Sequence, residues 1–408
     1  MTAEQQTDGG APTAWIYDAI RTPRGRGRAE GALAQVSPIH LVGGLLNTLT
    51  ERGLDASEVD DVVLGCVTQV GEQGTDIARM ATLMAGWPDA VPGMTVSRFC
   101  TSGLDAVSQA SARVMSGMDT LVVAGGVESM SRVPMFSDRG AWFADPAVAR
   151  GTRFIHMGLS ADLIATRDGR SREALDAWAL RSHQRAAEAW SKGHFDQSVI
   201  PVVRDGAPLV ERDERIRPDL TMEALAERPA SFAKMGAEGG DMMLRAAYPD
   251  VREVAHGHTS GSAPGIVDGA ALVLVGSHSA GEAHGLRPRA RVLSFAQAAV
   301  EPVIMLTGPV AASQKALARA GLTVDDIALW EINESFAGPT LHAIDALGCD
   351  PERVNVDGGA IAMGHPLGAT GAILVGTLID ALERRGGGRG VVTMCGGAGV
   401  AAALVLEV

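Results

Sequence analysis

Four stretches of this 408-residue chain hold residue types able to form bonds and move protons. Cys100 stands between an apolar run ending near Val96 and a helical stretch opening at Thr101 or Ser102. Unpaired N–H groups and the positive end of a helix favour a thiolate there, lowering the thiol pKa and making a nucleophile. An inert buried thiol fits the same position. His365 lies in the small-residue run 358–368, where Pro366 biases it away from helix and the glycines let a ligand reach the backbone. An imidazole so placed can deprotonate a thiol or donate to a developing oxyanion, or it can simply occupy a turn.

Cys395 ends an apolar run at the turn Gly396-Gly397-Ala398-Gly399, whose backbone N–H groups can point at a substrate oxygen. The plain alternative is a packing thiol beside a hairpin. Asn333, with Glu334, follows the strand-like IALWEI (327–332). The pair can hold a water or donate a side-chain hydrogen bond, and Asn333 can equally cap a helix. Cys66 and Cys349 lack comparable surroundings and read as structural. No two cysteines form a CxxC pair, so the sequence supports neither a metal site nor a disulfide framework.

The elements that must position these residues are legible. Leu104, Val107, Ala110 and Val114 recur at helical spacing just after Cys100. Leu374, Leu378 and Leu382 mark a second helix beyond His365, with Arg384 and Arg385 at its end and Gly386 after it, as the dipole and a C-terminal cap require. The last residues read as strand, glycine turn and strand.

The chain also repeats itself. Gly53-Leu54 leads into VDDVVLG and Gly321-Leu322 into VDDIALW, 268 residues apart; Gly103 and Gly371, each at a helix start, are again 268 apart. Each helix leads to an apolar run ending in glycines, TLVVAGGVES (120–129) and GVVTMCGGAG (390–399), which makes Gly125-Gly126 a turn like that after Cys395. Three coincidences in one order predict two copies of a βα-rich unit. The first copy is expected over 13–124 with 256–288, where IVDGAALVLVGS (266–277) rejoins its sheet, and the second over 289–408. Residues 125–255 form an inserted domain with 18 of the 35 basic residues, and residues 1–12 a flexible tail.

Composition limits the function. Fifty glycines with 46% hydrophobic and 20% charged residues describe a layered α/β protein rather than a disordered or fibrous one. A net charge of −13 argues against nucleic-acid binding, which needs a basic surface. No apolar run reaches 18 residues, so no transmembrane segment is expected. The polar, acidic N-terminus does not read as a signal peptide, and a cytoplasmic location is expected.

Together these stretches resemble the thiolase family over nearly the whole chain. The matching segments are RTP (21–23), RFCTSGL (98–104), GGVESMSRVPM (125–135), HMGLSADLIA (156–165), DGAAL (268–272), EINESFAG (331–338), GGAIAMGHPLGATGA (358–372) and CGGAG (395–399). The resemblance implies an α/β duplicated thiolase fold: two βαβαβαββ halves forming a layered αβαβα core, plus the inserted loop domain. It implies a 3-ketoacyl-CoA thiolase of fatty-acid β-oxidation, with biosynthetic acetoacetyl-CoA formation as the alternative. Coenzyme A and acyl-CoA would be substrates, with no tightly bound cofactor. The assembly would be a homodimer or homotetramer, with an α subunit of a β-oxidation complex as a further partner.

By the same resemblance Cys100 is acylated, His365 activates it, and Cys395 exchanges a proton with the acetyl-CoA α-carbon. Asn333 holds a water that forms one oxyanion hole with His365 Nε2, and the N–H groups of Cys100 and Gly397 form the second. Met157, Phe232, Met305 and Phe336 would line the pantetheine channel, with Arg217 near the CoA nucleotide. The sequence departs from the family at Ser262, Pro264, Ser97 and Ser335, the last standing where Ala is common. Pro264 cannot donate a hydrogen bond to pantetheine, so Ser260 or Ser262 is expected to replace it.

Overall fold

Alternation along the apolar strands builds the layers. A computed structural model describes residues 13–204 and 206–408; the tail expected over 1–12 lies outside the described residues. In chain order the elements that matter are β1 (Ala14–Arg21), α1 (Pro38–Glu51), β2 (Asp61–Gly65), α2 (Ile77–Met84), β3 (Gly93–Val96), α3 (Ser102–Ser116) and β4 (Leu121–Ser129). There follow α4 (Met157–Arg167), α5 (Arg172–Ser191), β5 (Val267–Gly276), β6 (Ala290–Ala299), α6 (Gly308–Ala320), β7 (Leu329–Ile332), α7 (Ala337–Leu347), α8 (Thr370–Arg384), β8 (Arg389–Cys395) and β9 (Val400–Glu407).

The strands join in the order β7-β8-β9-β6-β1-β5-β4-β2-β3. Outward from the β1/β6 seam, each half runs first, fifth, fourth and second strand. The third place is β3 in one half; in the other it is only a parallel bridge from Val354 to Trp330. Both halves thus repeat one topology, and their first strands pair antiparallel through Ala14–Val292, Trp15–Arg291 and Ile16–Ala290.

Because successive strand residues face opposite ways, each strand divides between two cores. Val122 and Ala124 of β4, with Ala402, Leu404 and Leu406 of β9, pack inward on α3 and α8. Leu121 and Val123 face α1 and α2. Ala401, Ala403 and Val405 face α6 and α7. The result is the αβαβα sandwich that the family resemblance implied, with α3 and α8 as its central layer. Both are buried over most of their surface; α8 buries every residue from Thr370 to Leu382.

The repeat positions are equivalent in the two halves: Gly53 follows α1 and Gly321 follows α6, both with left-handed backbone, while Gly103 and Gly371 are each the second residue of a central helix. One expectation fails. Gly125 and Gly126 form no turn, because β4 pairs with β2 and β5 through both and stays in the sheet to Ser129. A Cβ on Gly126 would collide with the Gly368 carbonyl of the other half, so that glycine serves close approach instead. The segment between Ser129 and β5 includes α4 and α5, both of which pack on α7.

Candidate active site

The two central helices begin face to face. Gly103 packs on the Gly368 carbonyl and Gly371 on the Leu104 backbone, contacts too close for any Cβ. The segments preceding these helices carry Cys100 and His365. Phe99 adopts φ 49°, a left-handed conformation costly for a bulky residue, and it turns the chain sharply from β3 into α3 with Cys100 at the bend. Ser102 Oγ fixes the bend by accepting from Arg98 N at 2.8 Å and donating to the Phe99 carbonyl. Gly364, at φ 100°, reverses the chain before His365, whose N–H donates to Gly265 O at 2.9 Å.

Asn333 and Cys395 end the parallel strands β7 and β8. The Asn333 N–H extends their ladder to Thr393 O at 3.0 Å. Cys100, His365, Cys395 and Gly397 line one cavity of about 320 Å³. Met157, Phe232, Met305 and Phe336 line it as well, with Met130, Ile266 and Leu306.

His365 Nδ1 lies 2.6 Å from Thr370 Oγ1, whose own proton goes to Pro366 O at 2.9 Å. The hydroxyl therefore accepts from Nδ1–H, which leaves Nε2 as a bare base. Burial, reinforced by the Arg24 guanidinium, holds His365 down to about 3, so the ring is neutral. Arg24 is itself buried and donates to Gly364 O at 3.0 Å.

The thiol expectation is corrected. Burial, with Cys395 and Glu128 nearby, pushes Cys100 up to about 12, although its own N–H and that of Gly397 point at the sulfur and work the other way. Desolvation outweighs the helix end. Burial likewise raises Cys395 to about 11. At rest both thiols and the imidazole are uncharged.

Other expectations divide. Asn333 stands behind the lining; its Nδ2 donates to Ser335 Oγ at 3.0 Å, while its buried Oδ1 has no protein partner. It caps no helix, since α7 starts after Phe336. Ser262 is not a ligand-facing group: it is fully buried, its Oγ accepts from Thr259 N at 3.0 Å, and its carbonyl accepts from Ala337 N. Ser260 faces away from the cavity, accepting from Arg228 Nη1 at 3.0 Å. Pro264 does line the cavity.

Arg217 lies outside the cavity in a cluster with Arg26, Arg215 and Arg228. Burial and these like charges hold Arg215 down to about 10, and its side chain lies against Gly265 at the cavity wall.

Sequence reasoning missed several of these residues. Thr370 was visible as a hydroxyl at the helix start five residues beyond His365. Arg215 and Arg228 flank the one arginine singled out. Glu128, inside a matched segment, accepts from Val67 N, Thr68 N, Gln73 Nε2 and Gly368 N, tying the His365 loop to the opposite half. Glu334 accepts from Trp178, Ser182, Asn355 and the Ile361 N–H, locking the inserted segment to the end of β7.

Two thiols and an imidazole sharing one cavity of a duplicated α/β fold can carry acyl transfer, and the chain is similar to proteins of that class. Residues 14–239 match the thiolase N-terminal domain and 286–408 the thiolase C-terminal domain. The chain belongs to the thiolase family and is an acyltransferase. It is 42% identical over 420 residues to the beta-ketoadipyl-CoA thiolase of Pseudomonas aeruginosa, covering 96% of this chain and 98% of that one. It is also 42% identical over 404 residues to a 3-ketoacyl-CoA thiolase of Cronobacter sakazakii, with the same coverage. The Bacillus anthracis acetyl-CoA acetyltransferase superposes with a TM-score of 0.84 at 34% identity, covering 97% of this chain and 99% of that one.

Proposed function

We propose that this thiolase cleaves 3-ketoacyl-CoA esters with CoA, giving acetyl-CoA and a shortened acyl-CoA through a Cys100 thioester. The observation that carries this reading is the meeting of Cys100, His365, Cys395 and the Gly397 N–H in one buried cavity. His365 Nε2 takes the Cys100 proton as sulfur attacks the 3-keto carbon, so the thiolate forms only on attack. The N–H groups of Cys100 and Gly397, already aimed at that sulfur, donate to the oxygen that gains charge in the tetrahedral adduct. The C2–C3 bond breaks, its electrons pass into the acetyl-CoA enolate, and Cys395 gives that carbon its proton. Asn333 Oδ1 can hold a water that, with the protonated His365, stabilises the enolate oxygen. An incoming CoA thiol then loses its proton to Cys395 and releases the acyl group.

The arginine cluster beside Gly265 suits the CoA phosphates, with pantetheine running inward past Phe232 and Met157. Among the cavity-lining residues there is no Arg or Lys, and Met130, Ile266 and Leu306 suit an apolar acyl chain of the fatty-acid type. The beta-ketoadipyl-CoA relative favours a second reading, an acyl group ending in carboxylate. Condensation of acetyl-CoA is a third. A homodimer or homotetramer fits the unpaired outer edge of β3 flanked by exposed Val70, Met84 and Met94. No helix among the described residues is long and apolar enough to cross a membrane, compatible with a cytoplasmic enzyme.

Mass spectrometry after mixing with a 3-ketoacyl-CoA should find the acyl group on Cys100. Cys100→Ala should lose both adduct and thiolysis; a few per cent residual thiolysis would overturn the assignment. In a substrate panel, neutral 3-ketoacyl-CoAs should exceed 3-ketoadipyl-CoA by about 100-fold in kcat/KM, since an unpaired buried carboxylate costs about 3 kcal/mol. The reverse order would establish the carboxylate reading, and strict acetoacetyl-CoA preference the condensing one.

A further inference from the structure

Ser335 occupies a position where the family commonly has Ala, and here its hydroxyl meets a reacting sulfur. Ser335 Oγ is 3.0 Å from Cys395 Sγ, with both residues buried. Asn333 Nδ2 donates to the same oxygen at 3.0 Å. An amide nitrogen can only donate, so this bond uses an acceptor lone pair of Ser335 and leaves its O–H for the sulfur. The Ser335 N–H donates to Asn333 O at 2.9 Å, closing a tight turn that fixes the hydroxyl's direction. The two strand ends that carry Asn333 and Cys395 are locked in parallel register, so the relay is set by the sheet.

We propose that Ser335 is a positioning residue that stabilises the thiolate of Cys395 through an Asn333–Ser335–Cys395 hydrogen-bond relay, favouring the form that removes a proton from the acetyl group. This rests on the thiolase chemistry above. In that step a methyl C–H bond breaks, an S–H bond forms on Cys395, and the electron pair moves onto the thioester oxygen as enolate. A hydroxyl donating to sulfur strengthens its bond as charge grows there. The other titratable groups lining the cavity are Cys100, His156 and His365. Met305, Leu306 and Phe336 share an apolar cluster with Cys395. Ser335 is therefore the side chain that gives this sulfur a directed proton donor, working against the burial that holds the thiol high.

The test compares the wild type with Ser335→Ala and Ser335→Thr. Alkylation of Cys395 by iodoacetamide is followed from pH 7 to 11 by peptide mass spectrometry, alongside deuterium uptake into the acetyl-CoA methyl group. Ser335→Ala should shift the Cys395 profile upward by about one pH unit, with ~10-fold slower alkylation and deuterium exchange at a fixed pH. Alkylation of Cys100 in the same samples, which needs no proton from Cys395, should change less than threefold. Ser335→Thr, which keeps the hydroxyl, should restore the profile. Coincident profiles for wild type and Ser335→Ala, with melting temperatures matched, would overturn the inference. Alkylation reads the free enzyme, so that outcome would leave the thiolase assignment standing, whereas absence of any Cys100 adduct would remove the assignment itself.

Discussion

The contact of the His365 loop with the opposite half can be broken by one methyl group. Gly368 lies three residues beyond His365 at the start of the turn into α8. A Cβ there would sit 2.6 Å from Gly65 O, 2.7 Å from Val127 O and 2.9 Å from Cys66 Cα. Ordinary Cβ contact begins at 3.4 Å, so the nearest pair must part by about 0.8 Å. All three obstacles are backbone of packed strands or their immediate continuation, so the loop has to yield. Its Gly368 N–H would also be pulled from Glu128 Oε2, now 2.9 Å away. Gly368→Ala should thus cost about 1–3 kcal/mol of stability as overpacking. A shift near 1 Å in the placement of His365 against Cys100 should lower kcat by about 10²-fold.

Thermal melts and single-turnover acylation of Cys100 would measure the two effects separately. Gly43→Ala provides the contrast: its Cβ would meet nothing within 4 Å inside α1, and it should add about 0.5–1 kcal/mol without changing kcat. A Gly368→Ala enzyme with kcat within threefold of wild type and an unchanged melting temperature would refute the claim that this close contact aligns the site.

Two further outcomes follow from His365. Thr370→Val removes the acceptor that holds Nδ1–H and should reduce the acylation rate by about 10–100-fold with little change in KM, as loss of an orienting partner does; equal rates would show that the loop alone sets the ring. Because His365 is held down to about 3, it gains a proton only far below neutrality and stays a base throughout pH 5.5–8. Single-turnover acylation should be nearly flat over that range. An imidazole at its ordinary value of about 6.5 would instead lose roughly 10-fold by pH 5.5, and such a fall would refute the burial argument.

Much of this was local enough to read from the chain. The strand periods, the helix faces after Cys100 and His365, and the 268-residue offset all depend on neighbours in sequence. Those neighbours set which residues share a face and where a helix starts. The segments holding Cys100, His365, Asn333 and Cys395 were recognisable for the same reason. Burial reversed what sequence suggested about Cys100, because a helix end favours a thiolate only if desolvation does not outweigh it, and desolvation is a property of the whole packing.

Three-dimensional contact likewise decided that Ser262 braces a turn rather than facing a ligand, and that Gly126 permits an approach between halves rather than a bend. It also gathered Arg26, Arg215, Arg217 and Arg228 from segments nearly 190 residues apart. The sequence by itself determined the two copied units and the residue types at their strand and helix ends. Only the tertiary structure joined the copies at the β1/β6 seam and abutted their central helices through glycine, bringing a sulfur from one copy to an imidazole and a second sulfur from the other. Contacts between halves depend on how two complete layers stack, and no periodicity along one segment encodes that.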